Sequence, residues 1–271
     1  MNAATMTRGA RWMRSLAGES EALAPVWSAD ALLGGTRTRF IAVVPDERNR
    51  FARARDNVVG LEQGWLLARA VRQAIDEDAA TTRPRPIVAI VDVKSQAYGY
   101  REEMLGIHLA CAAAVDAYAS ARLAGHPVIA LIVGPAMSGA FLAHGYQANR
   151  ILALDAPGTM VHAMGKDAAA RVTRRSVEAL DALGETVTPM SYSLSAFAKL
   201  GLLDRLITNV DADAPSAAQV ECVRDALIEA IASIDRNERD LSRRLDNEAA
   251  RSTRAASIEV RRRLAAQWDA P

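Results

Sequence analysis

The stretch that decides the fold is HPVIALIVGPAMSGAFLAHG, residues 126–145. Its first part, VIALIVG from Val128 to Gly134, is continuously apolar and rich in β-branched residues, which is typical of a strand buried on both faces of a parallel sheet. A tight turn follows Gly134, and a helix is predicted to begin near Ser138 and Gly139. The first amides of a helix have no partner within the helix, so this junction predicts a site for an anion.

Gly139 is the position at this junction that a ligand can approach most closely. It has no side chain, so a thioester oxygen can come within about 3 Å of a backbone N–H there. The alternative interpretation is an ordinary strand-to-helix turn that uses glycine for close packing. The motif by itself leaves both interpretations open.

A second loop favours the ligand-binding interpretation. PIVAIVDV, residues 86–93, is another continuously apolar run, and the loop from Ser95 to Tyr100 follows it directly. Ligands of open α/β sheets bind beyond the carboxyl ends of the strands, so we expect the two loops to face each other. Together they predict two sets of amide donors.

The rest of the chain predicts alternating strands and helices. RTRFIAVV, residues 37–44, is predicted to be a strand, and a long arginine-rich connection over 45–57 follows it. One face of a predicted helix from Leu61 to Ile75 carries the apolar residues Leu61, Trp65, Ala68, Val71 and Ile75. A helix over 104–123, two short strands within 151–165 and helices from Lys166 complete an α/β core domain over 36–214, after an N-terminal extension over 1–35.

The C-terminal part differs in composition and is predicted to be a helical appendage over 215–271. An amphipathic stripe comes first, formed by Val220, Val223, Leu227, Ile231 and Ile234. The segment 243–263 then has seven arginines against Asp246, Glu248 and Glu259, a local excess of +4. Such a segment is either a solvated helix face or a docking surface for an acidic partner.

Composition excludes several classes of protein. With 33 basic and 32 acidic residues the net charge is +1, which argues against binding nucleic acid through an overall field. The two cysteines, Cys111 and Cys222, form no CxxC motif and have no histidine at metal-ligand spacing, so neither a zinc site nor a disulfide framework is predicted. We see no signal peptide and no apolar run of about 18 residues, and we expect a cytoplasmic protein with no membrane span.

Four blocks of the sequence resemble a known family. They are RFIAVVPDERNRFARARDNVVGLEQGW, PIVAIVDVKSQAYGYREEMLGIHLA, HPVIALIVGPAMSGAFLAHGYQANRILALD and GTMVHAMGK, and the likeness runs from about residue 8 to residue 207. The blocks look like the gamma subunit of biotin-independent malonate decarboxylase, in the carboxyltransferase-like branch of the crotonase superfamily. The resemblance implies a crotonase-like (ββα-spiral) fold.

The resemblance also implies an activity and partners. In that family a beta and a gamma subunit form a heterodimer that decarboxylates a malonyl group carried on an acyl carrier protein, giving the acetyl thioester. The phosphopantetheine-type arm belongs to the carrier, so this chain is expected to hold no cofactor, no biotin and no metal. Of the two subunits, we expect this one to face the carboxyl group that is lost.

Loss of carbon dioxide from a malonyl thioester leaves an enolate, whose oxygen needs preorganised donors more than a strong base. We predict one oxyanion site at Gly139 with Ser138 beside it, and a second on the backbone of the loop. The second oxyanion site consists of Ala97, Tyr98 and Gly99. The predicted substrate-binding residues are Gln96, Arg101, Met137, Met164 and Lys166. The arginines Arg48, Arg50, Arg53 and Arg55 can grip phosphate on the carrier arm, pair with the partner subunit, or simply be solvated.

The sequence contains four histidines, each a candidate proton donor. His108, His126 and His144 lie in helical or turn segments where a structural role is the commoner one. His162 follows a short strand where related folds place a catalytic histidine, so it either protonates the enolate carbon, positions the carboxylate, or makes a structural hydrogen bond.

Three other functions remain open. A Clp-type serine peptidase needs a nucleophile 25 residues before His162, and that position holds Met137, while Ser138 is one place late and the GxSxG pattern fails. A hydratase or isomerase needs carboxylates beside the reacting carbons, for which Glu102 and Glu103 are weak candidates. A non-catalytic scaffold subunit of a carboxyltransferase-like complex is the third.

Overall fold

The computed structural model describes residues 6–18, 21–23 and 25–268. Parts of the predicted N-terminal extension (1–5, 19–20 and 24) and of the predicted appendage (269–271) lie outside the described residues. The strands are β1 (Glu21–Leu23), β2 (Val26–Leu33), β3 (Thr36–Val43), β4 (Ile87–Val93), β5 (Val128–Met137), β6 (Arg150–Leu154), β7 (Met160–His162) and β8 (Arg205–Ile207).

The described strands form one sheet in the order β1-β2-β3-β4-β5-β6-β8, with β7 paired to β5. The pairs β1–β2 and β2–β3 are antiparallel, whereas the pairs from β3 to β8 and the β5–β7 pair are parallel. β7 pairs with the last residues of β5, beyond the stretch that pairs with β6, so β5 extends past the end of its pairing with β6.

Helices cover both faces of the sheet. The α-helices of the described residues are α1 (Arg8–Ala17), α2 (Leu61–Glu77), α3 (Tyr100–Met104), α4 (Ile107–Ala124), α5 (Ser138–Ala143), α6 (Lys166–Thr173), α7 (Val177–Thr186), α8 (Leu194–Lys199), α9 (Ala217–Ala232), α10 (Glu248–Thr253) and α11 (Ala255–Trp268). Because both faces are covered, every residue of β4 is buried, which confirms the strand predicted from its continuous apolar sequence. The predicted α/β class is confirmed.

The two faces carry separate apolar clusters. On one face α2 and α4 pack on alternate residues of β4 and β5, including Ala89 and Ala130. On the other face α1 and α9 pack on the intervening residues, with Trp12 of α1 and Leu227 of α9 fully buried. The alternation follows from the period of two residues along a strand.

α1 and α9 are also joined through the segment that precedes α9. The Trp12 indole N–H donates to the Ala212 carbonyl at 3.0 Å, and Arg8 pairs with Asp213 at 2.6 Å. The stripe that begins with Val220 and Val223 therefore folds back on this chain's own sheet, and the cluster combines residues from all three predicted segments.

Three sequence predictions need correction. The helix expected over 104–123 is interrupted at Gly106, whose φ of +81° lies in the left-handed region that breaks an α-helix. β5 continues to Met137 instead of ending at Gly134, because β7 supplies it with a partner. Trp65 is 52% exposed, so it does not share the buried face of α2.

Buried arginines attach the segment after α9 to the core. Arg150, fully buried, donates to Ser233 Oγ at 2.9 Å and forms an ion pair with Glu238. Arg244 donates to the Tyr146 carbonyl at 2.7 Å, and burial lowers the pKa of Arg244 to about 10. One arginine of the predicted basic segment is therefore a structural anchor.

α11 differs from the other helices because none of its residues is buried. Val260, Leu264 and Trp268 are 56%, 54% and 85% exposed. No helix in the described part of the chain is long and apolar enough to cross a membrane.

Candidate active site

The junction between β5 and α5 has an unusual backbone. Met137 is extended, and the next residue, Ser138, has φ of +58°, in the left-handed region that residues with a side chain rarely adopt. Non-glycine residues held in this region cost about 1–3 kcal/mol and cluster at functional sites. The helix that follows is short, because α5 ends at Ala143.

The Gly139 amide points toward the second loop. Its N–H donates to Gln96 Oε1 at 2.8 Å, so the two loops predicted to face each other do meet. A Cβ built on Gly139 would lie 3.2 Å from that oxygen, which is tight contact. The amide is thus presented to a carbonyl-type oxygen, and the side chain of Gln96 covers it.

The amides of the second loop are not equivalent. Ala97 N–H donates to the Val59 carbonyl at 2.8 Å, as part of a parallel bridge in which Val59 N–H donates to the Ser95 carbonyl. Ala97 therefore offers no free donor, contrary to its predicted role. The N–H groups of Tyr98 and Gly99 donate to no other group among the described residues.

Gly99 lies against the side chains of Arg53 and Glu102, which would have to shift to admit a Cβ. A Cβ there would lie 2.8 Å from both Arg53 Nε and Glu102 Oε2. Arg53 and Glu102 are 4.0 Å apart, and Glu102 is buried. This contact holds the loop close to the arginine-rich segment over 45–57.

A cavity of about 530 Å³ opens beside the junction. Its lining is mostly apolar and brings Ser138, Gly139 and His162 together. The other lining residues are Phe141, Leu142, Tyr146, Val161, Ala163, Pro189, Met190, Ser191, Phe197, Leu200 and Leu202. An amide beside a mostly apolar lining interacts more strongly with a developing negative charge than an amide in bulk water does.

His162 is half-buried and its ring is held by its neighbours. Nδ1 lies 3.2 Å from the Met164 N–H and 3.1 Å from the Met164 carbonyl, and the ring stacks on Tyr192 with centroids 3.9 Å apart. Burial lowers the pKa of His162, while backbone hydrogen bonds with Met164 and Pro189 act in the opposite direction. Backbone groups of Met164 and Pro189 thus hold the ring in place.

The remaining predicted substrate-binding residues do not line the cavity. Lys166 is paired with Asp181 at 2.5 Å and lies 5.3 Å from the Tyr192 ring. Arg101 is exposed, with its guanidinium 5.9 Å from the Phe51 ring. Met137 is buried as the strand neighbour of His162, and Met164 is 37% exposed.

The four loop arginines are used in different ways. Arg50 pairs with Glu62 at 2.7 Å, and Arg55 donates to the Asn49 carbonyl at 2.9 Å. Arg48 and Arg53 keep exposed side chains. Among the described residues, no group of three or more His, Cys, Asp or Glu side chains is placed to hold a metal ion.

Two other histidines have structural contacts. His144 is fully buried between the Tyr118 hydroxyl, 3.0 Å from Nδ1, and the Ile90 carbonyl, 2.9 Å from Nε2. His126 lies 2.8 Å from the Arg85 carbonyl. His108 is exposed on α4.

Sequence reasoning missed the far wall of the cavity. Pro189 and Met190 come from the segment between α7 and α8, and Phe197 comes from α8 itself. This part of the chain carries no recognisable motif. Tyr192 supports His162 from the same segment. The only sequence feature that could have indicated this wall is the cluster of apolar residues and serines that follows the predicted helices.

Comparisons with known proteins agree on one family. The family model described as malonate decarboxylase gamma subunit matches residues 54–268. The chain is 38% identical over 165 residues to the Malonyl-S-ACP:biotin-protein carboxyltransferase MADD of Malonomonas rubra, covering 60% of this chain and 56% of that protein. The match thus spans little more than half the length of that relative.

Among solved structures, a chain of a Pseudomonas malonate decarboxylase hetero-tetramer in complex with coenzyme A is 54% identical, with a TM-score of 0.91. A chain of a Pseudomonas MdcD-MdcE hetero-dimer is 53% identical, with a TM-score of 0.88. Each match covers 97% of this chain and 100% of the other. Transcarboxylase 12S, 17% identical with a TM-score of 0.62 over 86% of this chain and 42% of that one, shares the fold alone. The predicted crotonase-like fold is confirmed.

Proposed function

The chain belongs to the malonate decarboxylase gamma subunit family, and from that premise we propose that it helps to decarboxylate a malonyl group carried on an acyl carrier protein. The observation that carries the proposal is that Gly139, whose N–H donates to the Gln96 side-chain oxygen, also lines a mostly apolar cavity. A thioester carbonyl offers the same kind of acceptor as Gln96 Oε1.

In the proposed reaction the bond between the thioester α-carbon and the carboxylate breaks. Its electron pair moves into an enolate, carbon dioxide leaves, and a proton then adds to the α-carbon to give the acetyl thioester. The negative charge that develops on the thioester oxygen is stabilised by the Gly139 amide after that oxygen has displaced Gln96 Oε1. Loss of one such donor typically costs about a hundred- to a thousandfold in rate.

The second donor in this scheme comes from Tyr98 or Gly99, whose N–H groups have no other acceptor among the described residues. Ala97 is left out of the proposal because the Val59 carbonyl already accepts its N–H. Gln96, in the same loop, connects the two donor sites. Substrate entry and donor alignment are therefore coupled through one loop.

In this proposal His162 acts on the substrate in the same cavity. Its position beside Ser138 and Gly139 supports an action on the enolate or on the departing carboxylate. Because burial lowers its pKa, the neutral ring predominates at pH 7, which favours positioning over proton donation. Lys166 is partly neutralised by Asp181, so it does not hold the carboxylate back from leaving.

A serine peptidase is disfavoured by the same geometry. His162 Nδ1 bonds to the backbone of Met164, and no hydrogen bond joins the ring to the Ser138 hydroxyl. A catalytic serine needs its base within hydrogen-bond reach.

Two partners belong to the proposal. The relatives that are 53–54% identical form a hetero-dimer or hetero-tetramer, and we expect this chain to pair with a beta-type subunit in the same way. The acyl carrier protein supplies the phosphopantetheine-type arm, so this chain binds no prosthetic group of its own. The name of the Malonomonas relative includes a biotin protein as acceptor, whereas decarboxylation here requires no biotin.

The test compares the isolated chain with the complex. The chain alone, the beta subunit alone and the co-expressed heterodimer are assayed for carbon dioxide release from malonyl-carrier protein, with and without avidin. We expect release from the heterodimer only, unaffected by avidin. Full activity of this chain alone would contradict the shared site, and an inactive authentic heterodimer would contradict the decarboxylase function itself.

A further inference from the structure

A second cavity, of about 300 Å³, lies at the opposite edge of the sheet from Gly139. Pro86 and Pro127, which directly precede β4 and β5, are among its lining residues, so the cavity lies at the amino ends of these strands. β5 has 10 residues at about 3.3 Å each, which separates the two cavities by roughly 30 Å. The second cavity shares no lining residue with the first.

Three arginines give this cavity a positive lining. They are Arg83, Arg236 and Arg239, and none of them forms an ion pair with another described residue. The Arg239 guanidinium lies against Gly125, where an added Cβ would be 2.9 Å from its Nη2. A guanidinium without a carboxylate partner offers several N–H donors in a fixed fork, an arrangement that suits an oxyanion.

Two carboxylates also line the cavity, and both already accept hydrogen bonds. Glu238 accepts from the two Nη atoms of Arg150 through its two oxygens. Asp235 Oδ1 accepts the Asn237 N–H at 2.7 Å. Because Arg150 offsets the charge of Glu238, the three arginines of the lining stand against Asp235 alone. The cavity therefore keeps an excess of positive charge.

His126 adds a buried hydrogen-bonding group to the lining. It is 2% exposed, and its Nδ1 lies 2.8 Å from the Arg85 carbonyl. A carbonyl oxygen only accepts, so Nδ1 carries the proton of this bond. Nε2 has no hydrogen-bond partner in the described part of the chain, and it is not among the unpartnered atoms that protein fully encloses there. Nε2 is thus the ring atom that a molecule in the cavity can reach.

Nε2 of His126 is an acceptor at neutral pH. Burial lowers the pKa of His126, while the hydrogen bond with the Arg85 carbonyl and the charge of Asp78 raise it. Asp78 is itself paired with Arg85, and the excess of arginine in the cavity lining also disfavours a charged ring. A neutral ring with its proton on Nδ1 has a lone pair on Nε2. A ligand that pairs with this nitrogen therefore has to donate.

We infer that this cavity binds a small oxyanion that still carries a proton at pH 7, such as hydrogen phosphate or hydrogen carbonate. The arginines hold the charged oxygens, and the O–H group of the anion donates to His126 Nε2. Sulfate has nearly the same charge as hydrogen phosphate but has no O–H group at this pH, so it leaves Nε2 without a donor. A volume of about 300 Å³ is at the small end of ligand sites, which suits an anion of this size.

The test compares inorganic phosphate, hydrogen carbonate and sulfate. Each is titrated by calorimetry at pH 7 into the full-length chain, co-expressed with the beta-type subunit, at a constant ionic strength because salt screens such contacts. We expect phosphate, hydrogen carbonate or both to bind at least about tenfold more tightly than sulfate, which is the effect of one hydrogen bond to a charged group. The tighter of the two protonated anions identifies the ligand.

Two variants separate the charge of the site from its hydrogen bond. Arg239→Gln keeps the backbone carbonyl that accepts from Arg122, and it should weaken the binding of all three anions by at least about tenfold. His126→Asn keeps a donor for the Arg85 carbonyl but removes Nε2, so the protonated anions should then bind within about threefold of sulfate. The matched control is Arg175→Gln, an exposed arginine after α6, which should change each Kd by less than about twofold.

A further measurement needs no folded variant. The ring signals of His126 in the NMR spectrum of the unmodified chain should shift when phosphate or hydrogen carbonate is added, whereas those of the exposed His108 should not.

Four results would overturn the inference. They are the absence of binding or of a His126 shift, equal binding of sulfate and the protonated anions, a preference over sulfate that survives in His126→Asn, and equal weakening by Arg175→Gln and Arg239→Gln. None of these measurements involves turnover, so their outcome is independent of the proposed decarboxylation.

Discussion

In the proposed mechanism a single N–H group, that of Gly139, stabilises the enolate oxygen at the first donor site. Gly139→Val places a branched side chain against Gln96, whose oxygen is already 3.2 Å from the position of a Cβ. We expect a fall of at least about a hundredfold in carbon dioxide release, because the thioester oxygen no longer reaches the amide. Activity of the co-expressed heterodimer is the measurement, with circular dichroism to check folding.

Two variants serve as controls for this prediction. Ser138→Ala removes a hydroxyl but keeps the backbone, and it should retain most of the activity. Gln96→Ala uncovers the Gly139 amide and should lower KM, since the substrate no longer displaces a side chain. Near-normal turnover by Gly139→Val would remove this amide from the mechanism.

The pH profile of kcat distinguishes the two proposed roles of His162, substrate positioning and proton donation. If the neutral ring only positions the substrate, His162→Asn lowers kcat by less than about a hundredfold, the lower end of what a general acid contributes. The pH dependence between pH 5 and pH 8 then stays that of the unmodified enzyme. A profile that loses one limb in the variant would show that His162 donates the proton.

His144 gives a prediction for stability. Burial lowers its pKa to about 4 in the folded chain, from about 6.5 in the unfolded chain. A depressed histidine pKa means that the folded state binds fewer protons, so stability is complete above about pH 6.5 and is lost as the pH falls toward 4. By linkage the loss is on the order of 3 kcal/mol.

The variant that isolates this effect is His144→Gln, which keeps groups able to bond to Tyr118 and Ile90. Urea unfolding at pH 7 and pH 4 should show a smaller loss of stability in the variant than in the unmodified chain. The comparison is needed because burial also lowers the pKa of His126 and His162. An equal loss in both proteins would rule out the contribution of His144.

At the scale of elements, α9 and α11 make opposite contributions to stability. Leu227 of α9 is fully buried, whereas Leu264 of α11 is 54% exposed. Leu227→Ala should cost about 2–5 kcal/mol, since it removes buried surface and leaves a cavity. Leu264→Ala should change the free energy of unfolding by less than about 0.5 kcal/mol.

Chemical denaturation of the two leucine variants provides the measurement. The same substitution at similar helical positions makes them a matched pair. A large cost at Leu264 in the isolated chain would mean that α11 packs on the body of the protein. Equal and small costs would mean that α9 adds little to the core.

Elements also show how far sequence reasoning reaches. β4 and β5 were predictable because continuous apolar β-branched runs are typical of buried parallel strands. The prediction that Trp65 is buried is wrong because helical periodicity shows which residues share one side of a helix. It does not show how much of that side a neighbouring element covers. The break at Gly106 depends on a positive φ that one glycine in a helical pattern does not reveal.

At the scale of the whole molecule, the sequence predicts the parts of the candidate site that one loop forms by itself. It does not predict the parts that depend on contacts between segments far apart in the chain. Gly139 follows from a strand and a turn. The Ala97 amide is occupied by Val59, which lies far earlier in the chain, and Pro189 and Met190 form the cavity wall from far later. Contacts between distant segments leave no periodic trace in the sequence.

The pairing of α1 with the Ala212–Asp213 segment has a consequence for synthesis on the ribosome. Trp12 finds its acceptor about two hundred residues later, at Ala212, and Leu227 of α9 completes the same cluster. At a translation rate of about 5–20 residues per second, α1 waits roughly 10–40 s for these partners to emerge. During that time its apolar residues are open to chaperones and to other nascent chains, so the yield of folded protein depends on the speed of elongation.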